Sequence, residues 1–330
     1  GDSFSGTDAA NNTLIGKSAG TAITTGDDNI AIGTTALEAT TTGIRNVAVG
    51  NNCLNANTTA NDNTALGVSA MSANTTGEFN VGLGRLALNK NTTADQNTAV
   101  GYHSMVENTT GTENTAVGYA ALDANVSGSY NTAFGNYSLS ANTTSNNTAF
   151  GHNSLEYTTT GTENTAVGVF ALGSNVSDGA NTAVGYRALE SSNGGAYNTA
   201  VGSRCLEDTT TGDYNTAVGY NALHENTAGA SNVGIGYQAL ESITTTDGNT
   251  AVGYKAGAIS TGHSNTFIGW QGGSSMTSGD ENICIGKNTN SSSNTSSGQC
   301  TFGGSEIGAL RCNVQSISSL SDRRDKTDIV

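Results

Sequence analysis

Proline is absent from all 330 residues, and charged side chains make up only 12% of them. Basic residues are the scarcest charge, with Lys+Arg 12 against Asp+Glu 27, giving a net charge of −15 and a pI near 4.4. That balance excludes a partner that needs a basic face, so neither nucleic acid nor an anionic membrane surface is expected. No apolar run approaches the ~20 residues of a membrane-spanning helix, so membrane insertion is not expected. Aromatics are 6% and cysteines five: Cys53, Cys205, Cys284, Cys300 and Cys312. An odd count without C-x-x-C spacing indicates neither a disulfide framework nor a zinc site. A chain so rich in Asn, Thr, Ser and Gly and so poor in charge resembles disordered sequences in composition, but those are enriched in proline.

What the chain has instead is order of a single kind. The pattern N-x-A-x-G, most often NTAVG, recurs from Gly16 through Gly33, Gly50 and Gly67 to Gly286 and, in a degenerate copy, Gly303. Successive glycines are 17 residues apart, except for steps of 16 from Gly135 to Gly151 and from Gly253 to Gly269. The residue before each glycine is apolar (Ile15, Val49, Leu66, Phe134), and the one before that is small, usually Ala. The third residue after it is small again, and the fourth is Leu or Met from Leu37 to Leu240. Asn/Thr-rich corners such as 57–60, 74–77 and 108–111 separate these pieces.

Two strand-sized pieces per unit, NTAVG and x-x-A-L, follow from this pattern, while helical periodicity is missing. The fold class is therefore all-β, a parallel β-solenoid or β-roll of about eighteen 17-residue coils. Stacked ~4.8 Å apart, eighteen coils span roughly 85 Å. Asn12, Asn29, Asn46 and their successors to Asn282 are expected to form a ladder of side-chain amides down the stack. One Val-sized and one Leu-sized side chain per coil is little burial against the entropy of ordering seventeen residues. Packing of the chain against further copies of itself is expected to supply the rest. The division is a lead-in segment at 1–11, the repeat shaft at 12–303, a neck at 304–320 and a short terminal segment at 321–330. The opening residues, GDSFSGTDAANN, read as the middle of a longer polypeptide.

Several local patterns imitate chemistry. Residues 16–20, GKSAG, match the G-x-S-x-G nucleophile elbow, and 82–87, GLGRLA, match a dinucleotide-binding fingerprint. Both are built from ordinary repeat positions with no helix following, so no cofactor is expected. His103, His152, His224 and His263 are scattered among the coils and read as solvated. Cys53, Cys205 and Cys284 fall in small-residue columns and read as buried apolar residues. The acidic corners at 26–29 and 279–282 lack the repeated aspartate spacing of a calcium site, so no metal is expected. Carboxylate pairs do not recur at any one place, and the chain is not expected to be an enzyme acting on glycans. N-x-S/T sequons at Asn57, Asn74, Asn108, Asn125 and Asn175 are column residues.

One column does suggest contact with a partner. The position just after the glycine carries Tyr102, Tyr119, Tyr186, Tyr220, Tyr237, Tyr254 and Trp270. Such an aromatic row either stacks against glycans or covers a seam between chains.

Two resemblances have residues behind them. The repeat N-x-A-x-G followed by x-x-A-L resembles the head repeats of trimeric autotransporter adhesins of the YadA-like kind, over about 12–303, although that family's unit is usually shorter. The resemblance implies a left-handed parallel β-roll and three chains side by side. Residues 321–329, SDRRDKTDI, are similar to the start of the endosialidase-type intramolecular chaperone that ends many phage tail fibres and tailspikes, with Asp325 in place of the more usual Leu. That resemblance implies trimerisation followed by self-cleavage, with Ser321 as nucleophile and Lys326 as its base. Lys326 can serve so only if burial lowers its pKa, which needs the downstream chaperone.

The functional expectation is a trimeric shaft of a virion tail fibre or spike for host attachment, with a host glycan or protein receptor as a further partner, located on the virion or an extracellular surface. A cell-surface adhesin head is one alternative. An ice-binding β-solenoid is another, although its Thr residues (Thr64, Thr98, Thr115, Thr132) stand one per coil rather than in doubled rows.

Overall fold

The computed structural model describes residues 9–304, and these form one continuous parallel β-solenoid. Eighteen strands of three residues each, β1 (Thr13–Ile15) to β18 (Cys300–Phe302), pair consecutively in one sheet. Register is that of the repeat: Thr98 lies beside Thr115, Ala99 beside Ala116, Val100 beside Val117. Among the described residues there is no helix. The lead-in segment is described only from residue 9, and most of the neck with all of 321–330 lies outside the described residues.

Only one of the two expected strand pieces is a strand. The x-x-A-L piece is a chain of tight turns, because two of its residues take left-handed backbone conformations. In the coil starting at Gly50 these are Asn52 (φ 56°) and Leu54 (φ 48°), and Asp62 (φ 58°) adds a third bend before the next strand. The Leu/Met column keeps this conformation from Leu37 to Leu240. A branched Cβ fits poorly at positive φ, which is why the column holds Leu and Met and never Val or Ile. Turns and strands alike bond from coil to coil: Leu54 N–H donates to Ala70 O at 3.1 Å, and Asn52 N–H to Thr34 O at 2.9 Å. A residue without an N–H, with φ fixed near −65°, would break such a ladder, and the absence of proline follows.

The repeat glycines form a spine. A Cβ on Gly50 (φ 142°) would lie 2.4 Å from the Gly67 carbonyl oxygen, and the same clash recurs along the stack. No other residue satisfies both the conformation and the close approach.

Inside the coil lie the Ala column of the strands, the Leu/Met column and the small column beside it, all close to fully buried. Leu reaches across from the turns and fills the space over Ala. Where one partner changes, so does the other. Phe267 replaces the strand Ala and is fully buried, and the leucines that would crowd it are Gly257 and Gly273, where a Cβ would come within 2.3 and 2.0 Å of its ring. Leu14 and Gly20 make the same exchange in the first coil.

The apolar residue before each glycine is not inside, contrary to the expectation that a Val-sized side chain is buried in each coil. Strand residues alternate, and with Asn and Ala pointing in, Thr and Val point out. Ile15 is 57% exposed, Leu66 50% and Phe134 49%.

Polar groups fill the rest of the interior. Asn46 N–H donates to Asn29 Oδ1 at 2.9 Å, its Nδ2 to Ala60 O at 2.8 Å, and its Oδ1 accepts the N–H of Asn63 at 3.1 Å. Each asparagine of this first column thereby ties its coil to the one before and the one after, as expected of the ladder. A second buried column contains Asn57, Asn74, Asn91, Asn108 and Asn125; Asn57 donates Nδ2 to Thr40 Oγ1 at 3.3 Å, and each of the other four to the Oδ1 of the one before at 2.9–3.1 Å. Both one-residue deletions fall in the exposed Thr corner following this second column, as Asn131 Nδ2 reaching Thr144 O over 13 residues rather than 14 shows for the first of them.

Candidate interaction surfaces

Two surfaces adjoin the glycine spine on its two sides. Before it lies the outer face of the sheet, made of the Thr and apolar residues of every strand. In register, these form two parallel rows from Thr13 and Ile15 to Cys300 and Phe302. No charged residue occurs in either row. Phe134 and Phe150 stack at 5.3 Å within the apolar row. Hydrophobicity alone hides this face in the sequence. Strict alternation along N-T-A-V-G is the signal that reveals it.

After the spine comes the aromatic column. Tyr220, Tyr237, Tyr254 and Trp270 form one stack with ring centroids 5.4, 5.2 and 4.1 Å apart and planes within 16°. Tyr102 and Tyr119 stack at 5.5 Å, and Tyr137 meets Tyr119 edge-on at 5.2 Å. Tyr186 stands without an aromatic neighbour in its column, with the Arg187 guanidinium 5.3 Å from its ring centre. The seven aromatic residues singled out in the sequence thus fall into a group of four, a pair and a single residue. Ser321 and Lys326 lie outside the described residues.

A third feature escaped the column reading. Glu207, with its side chain only 7% exposed, accepts from Arg204 Nε at 2.5 Å and Arg187 Nη1 at 3.3 Å, and lies 3.1 Å from His224 Nε2. Burial pushes its carboxyl up, but the Arg204 hydrogen bond and charge, with Arg187 and His224 behind them, outweigh it and hold it below the ordinary glutamate range. His224 is therefore a half-enclosed member of a charge cluster, not a solvated side chain as expected. The stacked pair Tyr197–Tyr214, 5.1 Å apart at a left-handed corner, was also missed, since corner positions otherwise hold mixed residues.

The remaining titratable groups serve the fold. Burial raises the Cys53 thiol to about 12 and the Cys205 thiol to about 11, which keeps both protonated. Corner carboxylates cap backbone: Asp27 Oδ1 accepts the Ala10 N–H at 2.7 Å and Asp280 Oδ1 that of His263 at 2.8 Å. Among the described residues no group of three or more His, Cys, Asp and Glu is placed to hold a metal ion. The GKSAG and GLGRLA segments are repeat positions: Gly16 and Gly84 belong to the glycine spine, and Gly82 makes room for Met71. Comparison with known proteins finds no family model that matches this chain and no curated protein that matches it significantly.

Proposed function

We propose that the chain is the shaft of a homotrimeric fibre or spike, of the kind that attaches a virion to its host. The observation that carries this reading is the outer strand face, an uncharged strip whose apolar row runs unbroken along every described coil, exposed or half-buried in each. At ~4.8 Å per coil the strip is roughly 80 Å long and about 10 Å wide, so about 800 Å² per chain, the area one partner contributes to a stable interface. A surface of that length and composition favours another protein surface over water. Its regular rows suit a second copy of the same rods, in line with the adhesin-head resemblance. The amide- and hydroxyl-rich remainder suits a hydrated, extended rod.

Light scattering in native buffer should give about three times the chain mass of 33.2 kDa; a stable monomer overturns the trimer. If the chaperone-like segment acts as its resemblance implies, the full-length gene product should be cut beside Ser321, and Ser321→Ala and Lys326→Ala should each abolish the cut. A cell-surface adhesin head would use the same rod with a membrane anchor. An ice-binding rod would use the single Thr row of the same strand face, and thermal hysteresis by a monomeric rod would select that reading over the fibre.

A further inference from the structure

We infer that Asn193–Gly194 is a site of spontaneous deamidation, and that its isoaspartate product opens the corner of the coil that carries it. Water is the only co-reactant, and the inference is independent of the fibre reading.

The chain is crowded with asparagine, yet Asn is followed by Gly only at 193–194. Deamidation begins when hydroxide takes the backbone amide proton of the following residue. That nitrogen attacks the asparagine Cγ, a C–N bond forms, the Cγ–Nδ2 bond breaks and ammonia leaves. Water then opens the cyclic imide at either carbonyl, giving aspartate or isoaspartate. The reaction is fastest where the asparagine amide is not held, the following N–H is not donated, and the following residue has no side chain to crowd the ring.

Elsewhere the fold withholds these conditions. In the first asparagine column Asn181 Nδ2 donates to Gly195 O at 2.9 Å, and the Thr182 N–H donates to Asn198 O at 2.9 Å. In the second, Asn226 Nδ2 donates to Gly229 O at 3.0 Å and the Thr227 N–H to Thr244 O at 2.8 Å. The related sequence Asp247–Gly248 is held at both ends: Asp247 Oδ1 accepts the Ala230 N–H at 2.7 Å, and the Gly248 N–H donates to Ala230 O at 3.0 Å.

At 193–194 both residues are exposed. The Asn193 N–H donates to Thr210 O at 3.1 Å, but among the described residues neither the Asn193 side chain nor the Gly194 N–H has a hydrogen-bond partner. In the next coil the N–H groups of Thr210 and Thr211 both donate to Thr227 O, at 2.8 and 3.0 Å. Gly194 stands where the neighbouring coils have Ser177 and Thr211, and its φ of 150° is a conformation that glycine alone takes readily.

Isoaspartate routes the main chain through the former side chain and lengthens it by one atom, inside a corner whose N–H groups must meet the next coil. The new carboxylate also adjoins Ser192, whose Oγ already donates to the enclosed Asp178 carboxylate at 2.9 Å. Extra length and a second negative charge act on one corner, and that corner has Ser192 rather than asparagine in its second polar column.

The whole chain should be incubated in mildly alkaline buffer at body temperature and then digested with trypsin. Peptide 188–204 carries the site, with Asn198 as its internal control. It should gain the mass difference of OH for NH2 at Asn193, mainly as isoaspartate, before any other asparagine of residues 9–304 converts. Its rate should lie within a factor of about ten of that of the isolated peptide, because exposed corners open at little cost. Asn193→Thr, the residue of the next coil, should remove the change. Gly194→Ser, the residue of the preceding coil, should slow it about tenfold or more. In the converted chain the amides of 192–212 should exchange hydrogen about tenfold faster. Conversion of the isolated peptide but not of the chain, earlier conversion of another asparagine, or an unchanged rate in Gly194→Ser would each overturn the site. Unchanged exchange in the converted chain would overturn the opening of the corner.

Discussion

The coils from Asn57 to Asn125 and those from Thr158 to Met276 share one backbone but fill it differently. In the first region the second polar column is an unbroken amide ladder. In the second the same column reads Thr158, Asn175, Ser192, Thr209, Asn226, Ile243, Ser260 and Met276, and the hydroxyls of Thr158, Thr209 and Ser260 are buried without partners. The first asparagine column continues through both, to Asn282. One ladder is thus the requirement of the fold, and the other is a reinforcement that the second region has given up. That same region carries the four-ring stack, the Glu207 cluster and the Phe267 exchange, so departures from the repeat accumulate where the ladder is already broken.

The largest test of this contrast removes Phe267. Phe267→Ala should cost about 3–5 kcal/mol in urea unfolding, since the two neighbouring glycines leave nothing to fill the hole. Adding Gly257→Leu and Gly273→Leu recreates the ordinary coil and should recover most of that loss. Failure to recover would mean that the exchange is not one of volume.

Next comes the shared ladder. Asn114→Ala leaves the Asn131 N–H without its partner and the Gly128 carbonyl with Asn125 Nδ2 alone, and should cost about 2 kcal/mol. The equivalent change in the second region, Asn215→Ala, should cost about the same.

The second column should behave asymmetrically. Asn91→Ala, within the unbroken run, should destabilise by about 1–2 kcal/mol. Thr209→Asn should instead stabilise by about 1 kcal/mol, because it offers an Oδ1 to Asn226 Nδ2 and replaces an unpartnered hydroxyl. Equal responses at the two sites would erase the distinction between the regions.

The smallest effect concerns pH. Because Glu207 is held below the ordinary glutamate range, its stabilisation is complete above that range and is lost as pH falls through its lowered value in the folded chain. Glu207→Gln should cost about 1 kcal/mol at pH 7 and flatten the acid side of the stability profile. Hydrogen exchange should localise the change to coils 185–241. An identical acid limb in the variant would show that the cluster adds nothing.

Much of this was legible from spacing alone. Parallel stacking, register, the coil number and the first asparagine ladder all follow from a glycine every seventeenth residue with the same neighbours. The direction of Val100 or Val201 was not, because a burial guess from hydrophobicity competes with strand alternation, and alternation wins when Leu from the far side already fills the core. The turns at Asn52 and Leu54 were hidden for a different reason. Leucine has no preference for positive φ, so only coil-to-coil hydrogen bonding imposes it. The aromatic column was visible as residues, but its division into groups depends on where Ser203 and Val169 interrupt it. The Glu207 cluster joins residues 17 and 20 apart, a relation that appears only once coils are laid side by side.

The second asparagine column also bears on where such a chain can be made. Asn57, Asn74, Asn108, Asn125 and Asn175 each head an N-x-S/T acceptor sequence, and each is fully enclosed with its Nδ2 donating to a carbonyl within its own corner. The nitrogen that would carry an oligosaccharide is the one that closes the corner. In a compartment that glycosylates nascent chains, sugar transfer and coil closure compete for the same atom, and every glycan that wins leaves a coil that cannot stack. Synthesis away from oligosaccharyl transfer lets the rod wind without that competition.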